Sequence, residues 1–234
     1  MLVIAVATGR EAAPLAAELA GDEREVNGVR VTDGRLGGTP VRLCVTGVGR
    51  GSTAFHLGRV LLDAPTALLQ VGIGGGFDAG PDVGEVALAA QDSYADLGAA
   101  TEAGWLPARE LGFPLLERDG APVWDTFPTH VAATGAAAGA LAAPIGPFVT
   151  LETVTGTTAR AVELSLRHAA LVESMEGAAA AHACALAGVP FVELRAVSNR
   201  VGPRDRAAWR IDDAIAAAGA AATRVAPIVI EAAA

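Results

Sequence analysis

The chain has 234 residues, 52% of them hydrophobic, with 17 basic against 26 acidic side chains and a formal charge of −9. That length buries a substantial core and predicts one domain spanning 1–234. The acidic balance repels polyanions, which argues against general nucleic-acid and acidic-membrane binding, although a local basic cluster can still receive a small anion. All the basic side chains are Arg, which excludes a Schiff-base lysine mechanism.

Short runs rich in Val, Leu and Ile alternate with Ala-rich stretches of helical spacing, the pattern of an α/β chain with strands covered on both faces. The first predicted strand, 2–7, runs into Ala7-Thr8-Gly9-Arg10-Glu11 and a helix over 10–20. Thr8 and Glu11 have capping-box spacing, so Glu11 either closes the helix N-terminus or serves as a general base at a strand's C-terminal edge. Strands over 26–32 and 41–47 follow. The second ends in Thr46-Gly47-Val48-Gly49-Arg50-Gly51, ahead of a helix over 52–62. The strand 66–72 leads into Val71-Gly72-Ile73-Gly74-Gly75-Gly76, which has neither the spacing of a dinucleotide fingerprint nor a P-loop Lys. Two Gly-rich turns at strand ends predict one crevice lined by backbone at Gly49, Gly74 and Gly75; a ligand-free tight turn is the plainer alternative.

After a strand at 83–90, the weak periodicity of 94–128 reads as a long excursion, a lid or an interface element. The segment 129–147, nearly all Ala, Gly and Pro, fits a small helix or a flexible connection. Strands at 148–151 and 169–172 flank a helix over 157–167. Ser174-Met175-Glu176-Gly177-Ala178 opens a helix over 175–187, where Glu176 is either a first-turn acid favoured by the helix dipole or a bidentate acceptor for a diol. Met175 is core filler or a surface for a sugar face. The strand 191–198 ends in a polar turn, Arg195-Ala196-Val197-Ser198-Asn199-Arg200, and a helix over 209–230 closes the chain. Arg200, Arg204, Arg206 and Arg210 stand against a single Asp205 within 200–210, a receptor for a small anion or a solvated cluster paired with Asp205, Asp212 and Asp213.

Apolar runs such as 2–7 and 66–71 break far short of the roughly 20 residues of a membrane span. Cys44 and Cys184 are distant and set in apolar contexts, as expected of buried thiols in a reducing cytoplasm. His56, His130, His168 and His182 show no metal-ligand spacing, so neither a metal nor a cofactor is expected.

Taken in order, Glu11, residues 47–51, residues 72–76, Met175-Glu176-Gly177 and Ser198-Asn199 resemble the purine nucleoside phosphorylase and methylthioadenosine nucleosidase superfamily over nearly the whole chain. The resemblance implies a mixed central sheet flanked by helices and cleavage of an N-glycosidic bond. It assigns Glu11 to water activation, Glu176 and Met175 to the ribose, and Val154, Ser198 and Asn199 to the purine. Phosphorolytic members carry Arg where this chain has Gln70, which implies water as the acceptor, although Arg50 offers a substitute charge. Methylthioadenosine nucleosidases carry Asp where this chain has Asn199, and a carboxamide donates a hydrogen bond without releasing a proton, which implies a 6-oxopurine such as hypoxanthine. The stretch from Ser198 to Ile211 resembles the branch that acts on an inosine-like nucleoside with a benzoate tail, which assigns Arg200, Arg204 and Arg206 to the tail carboxylate. The rival readings are a phosphorylase, a methylthioadenosine-type nucleosidase and a nucleoside-binding protein on the same fold. The Ala-rich faces and the Trp-containing excursion imply a homodimer or larger homo-oligomer.

Overall fold

In a computed structural model describing residues 1–234, β1 (Leu2–Val6) leads into α1 (Gly9–Leu19), the meander β2 (Asp22–Val26), β3 (Val29–Leu36) and β4 (Thr39–Val45), and then α2 (Arg50–Val60). β5 (Ala67–Gly76) and β6 (Val86–Tyr94) precede the hairpin of β7 (Gly98–Thr101) and β8 (Gly104–Pro107). A single turn, α3 (Ala108–Leu111), separates it from the hairpin of β9 (Leu116–Arg118) and β10 (Ala121–Val123), followed by β11 (Thr126–Pro128). The chain then runs through α4 (Val131–Leu141), β12 (Ile145–Thr150), α5 (Thr158–His168), β13 (Val172–Ser174), α6 (Gly177–Ala187), β14 (Phe191–Arg200) and α7 (Ile211–Ala233).

The central sheet is mixed and follows the order β11-β6-β12-β13-β5-β1-β4-β3-β2. β14 lies parallel to β5 and antiparallel to β6, which closes β5, β14, β6, β12 and β13 into a ring. Period-two alternation assigns each strand's side chains to opposite faces. Leu2, Ile4 and Val6 join the core shared with α1, α4 and α7, while Val3 and Ala5 join the core shared with α2 and α6. A fully buried Leu or Ile on these strands contributes roughly 2 kcal/mol. Cys44 and Cys184 are free and buried, and burial pushes the Cys44 thiol up to about 12.

The structure corrects several expectations. Residues 26–32 are two strands, not one, because Asn27 and Gly28 both take positive φ and form the turn of a hairpin. Gly72 to Gly76 are not a turn: they belong to β5, held by β14 on one side and, at Gly75 and Gly76, by β13. Ser198 and Asn199 likewise lie inside β14 rather than in a turn after it. The predicted strand at 169–172 falls at Val172–Ser174, and α6 begins at Gly177, so Met175 and Glu176 sit in the connection before the helix. The excursion 94–128 consists of two short hairpins, a one-turn helix and an edge strand, and none of it lines the cavity at the ends of β1, β5 and β14.

α7 is longer than any apolar run picked out of the sequence. Its 23 residues and mean hydropathy of 1.4 over an 18-residue window are sufficient by length and composition to cross a membrane, but half of that window is buried inside the protein. Ala214, Ile215, Ala218, Ala222, Val225 and Val229 form its buried stripe, which packs mainly on α1, α4, β5 and β14.

Candidate active site

A cavity of about 430 Å³ opens where β1, β5 and β14 end, the edge at which α/β sheets receive ligands. Glu11, Gly74, Gly75, Val154, Met175, Glu176, Ser198, Asn199, Arg200 and Arg204 all line it. Gly49 and Arg206 do not, although Gly49 touches the site through Glu176.

Thr8 caps α1, its hydroxyl oxygen accepting from the Glu11 backbone N–H at 3.2 Å. The Glu11 carboxylate does not complete the capping box. Its Oε2 accepts from the Thr8 hydroxyl at 2.8 Å and its Oε1 from the Ile73 N–H of β5 at 3.2 Å, which pins the group at the cavity wall. The close approach requires Gly72: a Cβ there would lie 3.0 Å from Glu11 Oε1 and 2.6 Å from Arg195 Nη1.

Glu176 is buried and held at both oxygens. Oε1 accepts from the Gly49 N–H at 3.1 Å and Oε2 from Arg195 Nη1 at 3.1 Å. Arg195 is 1% exposed; its Nε donates to Glu193 Oε1 at 2.9 Å and its Nη1 also meets the Ile73 carbonyl at 3.3 Å. Burial alone lowers such a guanidinium, but the Glu193 and Glu176 carboxylates more than offset it and hold Arg195 above its ordinary value. A carboxylate fixed at both oxygens by a backbone N–H and an Arg has its remaining lone pairs free for a vicinal diol.

β14 carries a bulge between Val197 and Asn199, opposite Gly74 and Gly75 of β5. The extra residue is Ser198, whose hydroxyl bonds to the Gly74 carbonyl at 3.1 Å and to Asn199 Oδ1 at 2.8 Å. With its oxygen facing Ser198, Asn199 Nδ2 is the donor on offer, and it rests on the Arg200 carbonyl at 3.0 Å.

The Arg cluster divides. Arg200 is committed to the Phe77 and Pro81 carbonyls, at 3.1 and 3.0 Å, and to Asp82. Arg204 lies 4.9 Å over the Trp209 ring at the cavity rim, and Arg206 lies 5.8 Å over the same ring. Neither position weighed for a phosphate cation reaches the cavity: Gln70 is fully buried, and Arg50 is paired with Asp96 at 2.6 Å and Glu152 at 2.7 Å.

Glu173 and Trp209 in the cavity wall, and Arg195 behind it, carried no assignment from sequence. Glu173 is buried with both oxygens on Thr155, and burial raises its carboxyl while the Thr155 contacts oppose the rise. Trp209 forms the rim under Arg204. Arg195, which reaches the site through Glu176, left a readable signal: Glu193 and Arg195 share a face of the otherwise apolar stretch 191–197, and buried opposite charges at i and i+2 point to an internal ion pair.

The phosphorylase superfamily profile matches residues 1–234. A futalosine hydrolase of Streptomyces coelicolor is 44% identical over 193 residues, covering 80% of this chain and 78% of that protein. One of Thermus thermophilus is 36% identical over 191 residues, covering 81% and 83%. Among solved structures, the 5′-methylthioadenosine/S-adenosylhomocysteine nucleosidase of Neisseria meningitidis in complex with methylthio-immucillin-A superposes with a TM-score of 0.82 at 19% identity, over 96% of this chain and 97% of that one. The futalosine hydrolase of Helicobacter pylori gives a TM-score of 0.82 at 15% identity, over 97% of each chain. At those identities the structural likenesses speak for the fold.

Proposed function

The chain belongs to the phosphorylase superfamily, and we propose that it is a nucleoside hydrolase that splits futalosine into hypoxanthine and dehypoxanthine futalosine for menaquinone biosynthesis. The observation that carries the chemistry is the pair of carboxylates on one cavity, Glu11 pinned by Ile73 and Thr8, and Glu176 pinned by Gly49 and Arg195. Glycosidic cleavage passes through a cationic sugar, and a negative wall near the ribose stabilises that state more than the neutral ground state.

In this reading Glu176 accepts the ribose hydroxyls while Met175 packs on the sugar. Glu11 orients a water and takes its proton as the oxygen bonds to C1′. The C1′–N9 bond breaks with its electron pair leaving on the base. Asn199 donates a hydrogen bond to N7 or O6 of the departing purine, which then takes a proton from solvent, and Val154 and Ser198 complete the base wall. The backbone at Gly49, Gly74 and Gly75 gives the crevice its close approach. Arg204 meets the carboxylate of the substrate's aromatic tail, supported by its place at the rim beside Trp209, with Arg200 and Arg206 secondary because Arg200 is internally committed and Arg206 lies outside the cavity. Water as the acceptor is supported by buried Gln70 and doubly paired Arg50.

We further propose one domain over the whole chain, supported by the profile match to 1–234. A cytoplasmic location is supported by two free buried thiols, and a homodimer or larger assembly by exposed Phe55, Leu62, Phe113 and Leu166. The decisive experiment incubates the protein with futalosine and with inosine, with and without phosphate, and separates free base. Hypoxanthine release from futalosine without phosphate is expected. A phosphate requirement with a sugar-1-phosphate product overturns hydrolysis, and uptake without cleavage makes the protein a binder.

A further inference from the structure

Behind Glu176, on the side away from the cavity, three ionisable side chains are sealed from solvent: Arg195, Glu193 and Asp92. Glu193 fixes Arg195 through Nε, yet its second oxygen, Oε2, is buried without a donor. Asp92 is fully buried on β6, and the Thr150 hydroxyl lies 3.0 Å from its Oδ1 and 3.1 Å from its Oδ2. That hydroxyl itself accepts from the Ala178 N–H at 2.8 Å, so its proton is directed at Asp92.

Asp92 and Glu193 face each other across Gly177. A Cβ at Gly177 would lie 2.1 Å from Asp92 Oδ2 and 2.3 and 2.5 Å from the two Glu193 oxygens, so three carboxyl oxygens crowd one point. Two ionised carboxylates cannot be stable side by side without water, and one proton shared between them removes the repulsion. It also gives Glu193 Oε2 the donor it lacks. Burial first, and the Glu193 charge second, hold Asp92 well above the usual carboxylate range. Burial raises Glu193 as well, and the Arg195 guanidinium opposes that rise.

We propose that Asp92 is a positioning residue that carries a proton and donates it in a hydrogen bond to Glu193, locking Arg195 in the orientation that holds Glu176 for the ribose. The chain of contacts is Asp92 to Glu193 to Arg195 to Glu176, and nothing in it touches substrate except Glu176. The inference rests on the assignment of Glu176 to the ribose. Its charge balance is one anion on each side of a single buried cation, instead of three carboxylates around it.

The test combines infrared spectroscopy with kinetics on the full chain. The wild-type protein at neutral pH should show the C=O stretch of a protonated, non-exchanging carboxyl group, lost in Asp92→Asn and kept in Glu176→Gln. The amide of Asp92→Asn offers Glu193 an N–H donor in place of the carboxyl O–H, so it should retain most of the activity. Asp92→Ala should lose tenfold or more in kcat/KM, mainly through KM, at an unchanged affinity for free hypoxanthine. Absence of the infrared band overturns the proposal even if Asp92→Ala does not fold. So does an Asp92→Asn variant as damaged as Asp92→Ala. A harmless Glu176→Gln with the band intact would instead overturn the ribose assignment, and with it the purpose of the relay while leaving the shared proton in place.

Discussion

Gly177→Ala sets two opposed effects against each other at the first residue of α6. Replacing Gly by Ala in a helix normally gains up to about 1 kcal/mol. Here the added methyl would stand 2.1 Å from Asp92 Oδ2 and 2.3 Å from Glu193 Oε1, where real Cβ atoms essentially never come within 3.0 Å of a neighbour. Forcing such a group into a filled interior costs roughly 1–3 kcal/mol. Prising Asp92 from Glu193 adds about 1–3 kcal/mol for a buried acceptor left without its donor. The strain outweighs the propensity, for a net loss of about 3 kcal/mol, which lowers Tm by roughly 6–12 °C in a chain of this size. Gly135→Ala is the control: it lies exposed inside α4 with no heavy atom within 4 Å of the added Cβ, and it should gain about 0.5–1 kcal/mol. Thermal melting of both variants measures the difference. A Gly177→Ala protein melting at or above the wild type would refute the close packing of Asp92, Glu193 and α6.

Glu11→Gln should leave melting unchanged within about a degree or two and depress turnover on the order of a hundredfold or more, measured as kcat for hypoxanthine release. Arg204→Ala should raise KM for futalosine roughly tenfold, the loss of one charge-assisted contact, while slow cleavage of tailless inosine is unaffected. Equal effects on both substrates would move the tail site elsewhere. The Asp92 carboxyl is raised in the folded protein by burial and by Glu193, so its contribution is present in full below the unfolded value of about 4 and is lost as pH rises through the folded value. Asp92→Asn does not titrate there, and its Tm relative to wild type should climb steadily from pH 4 upward; a flat difference would show that Asp92 is ionised in the fold.

Strand alternation, the Ala-rich helices and the order of Glu11, the glycine runs, Met175-Glu176 and Ser198-Asn199 were legible in the chain because they depend on near neighbours. Period-two burial in β1 and the Thr8 cap of α1 are local effects of residues a few positions apart. The strands of β7 to β11, at three or four residues each, are too short to display a period, and for that reason 94–128 read as an excursion. The fate of the glycine run depended on partners far along the chain, since Gly72 to Gly76 become strand only when β14 and β13 pair with them. The β14 bulge that presents Ser198 and Asn199 exists only against Gly74 and Gly75. Whether Glu11 capped a helix or faced a cavity turned on an N–H donor at Ile73, 62 residues away. Asp92, Gly177 and Glu193 come from three elements, and their protonation follows from burial and mutual repulsion that no linear spacing encodes: it took ring closure by β14 to bring two acids together out of water.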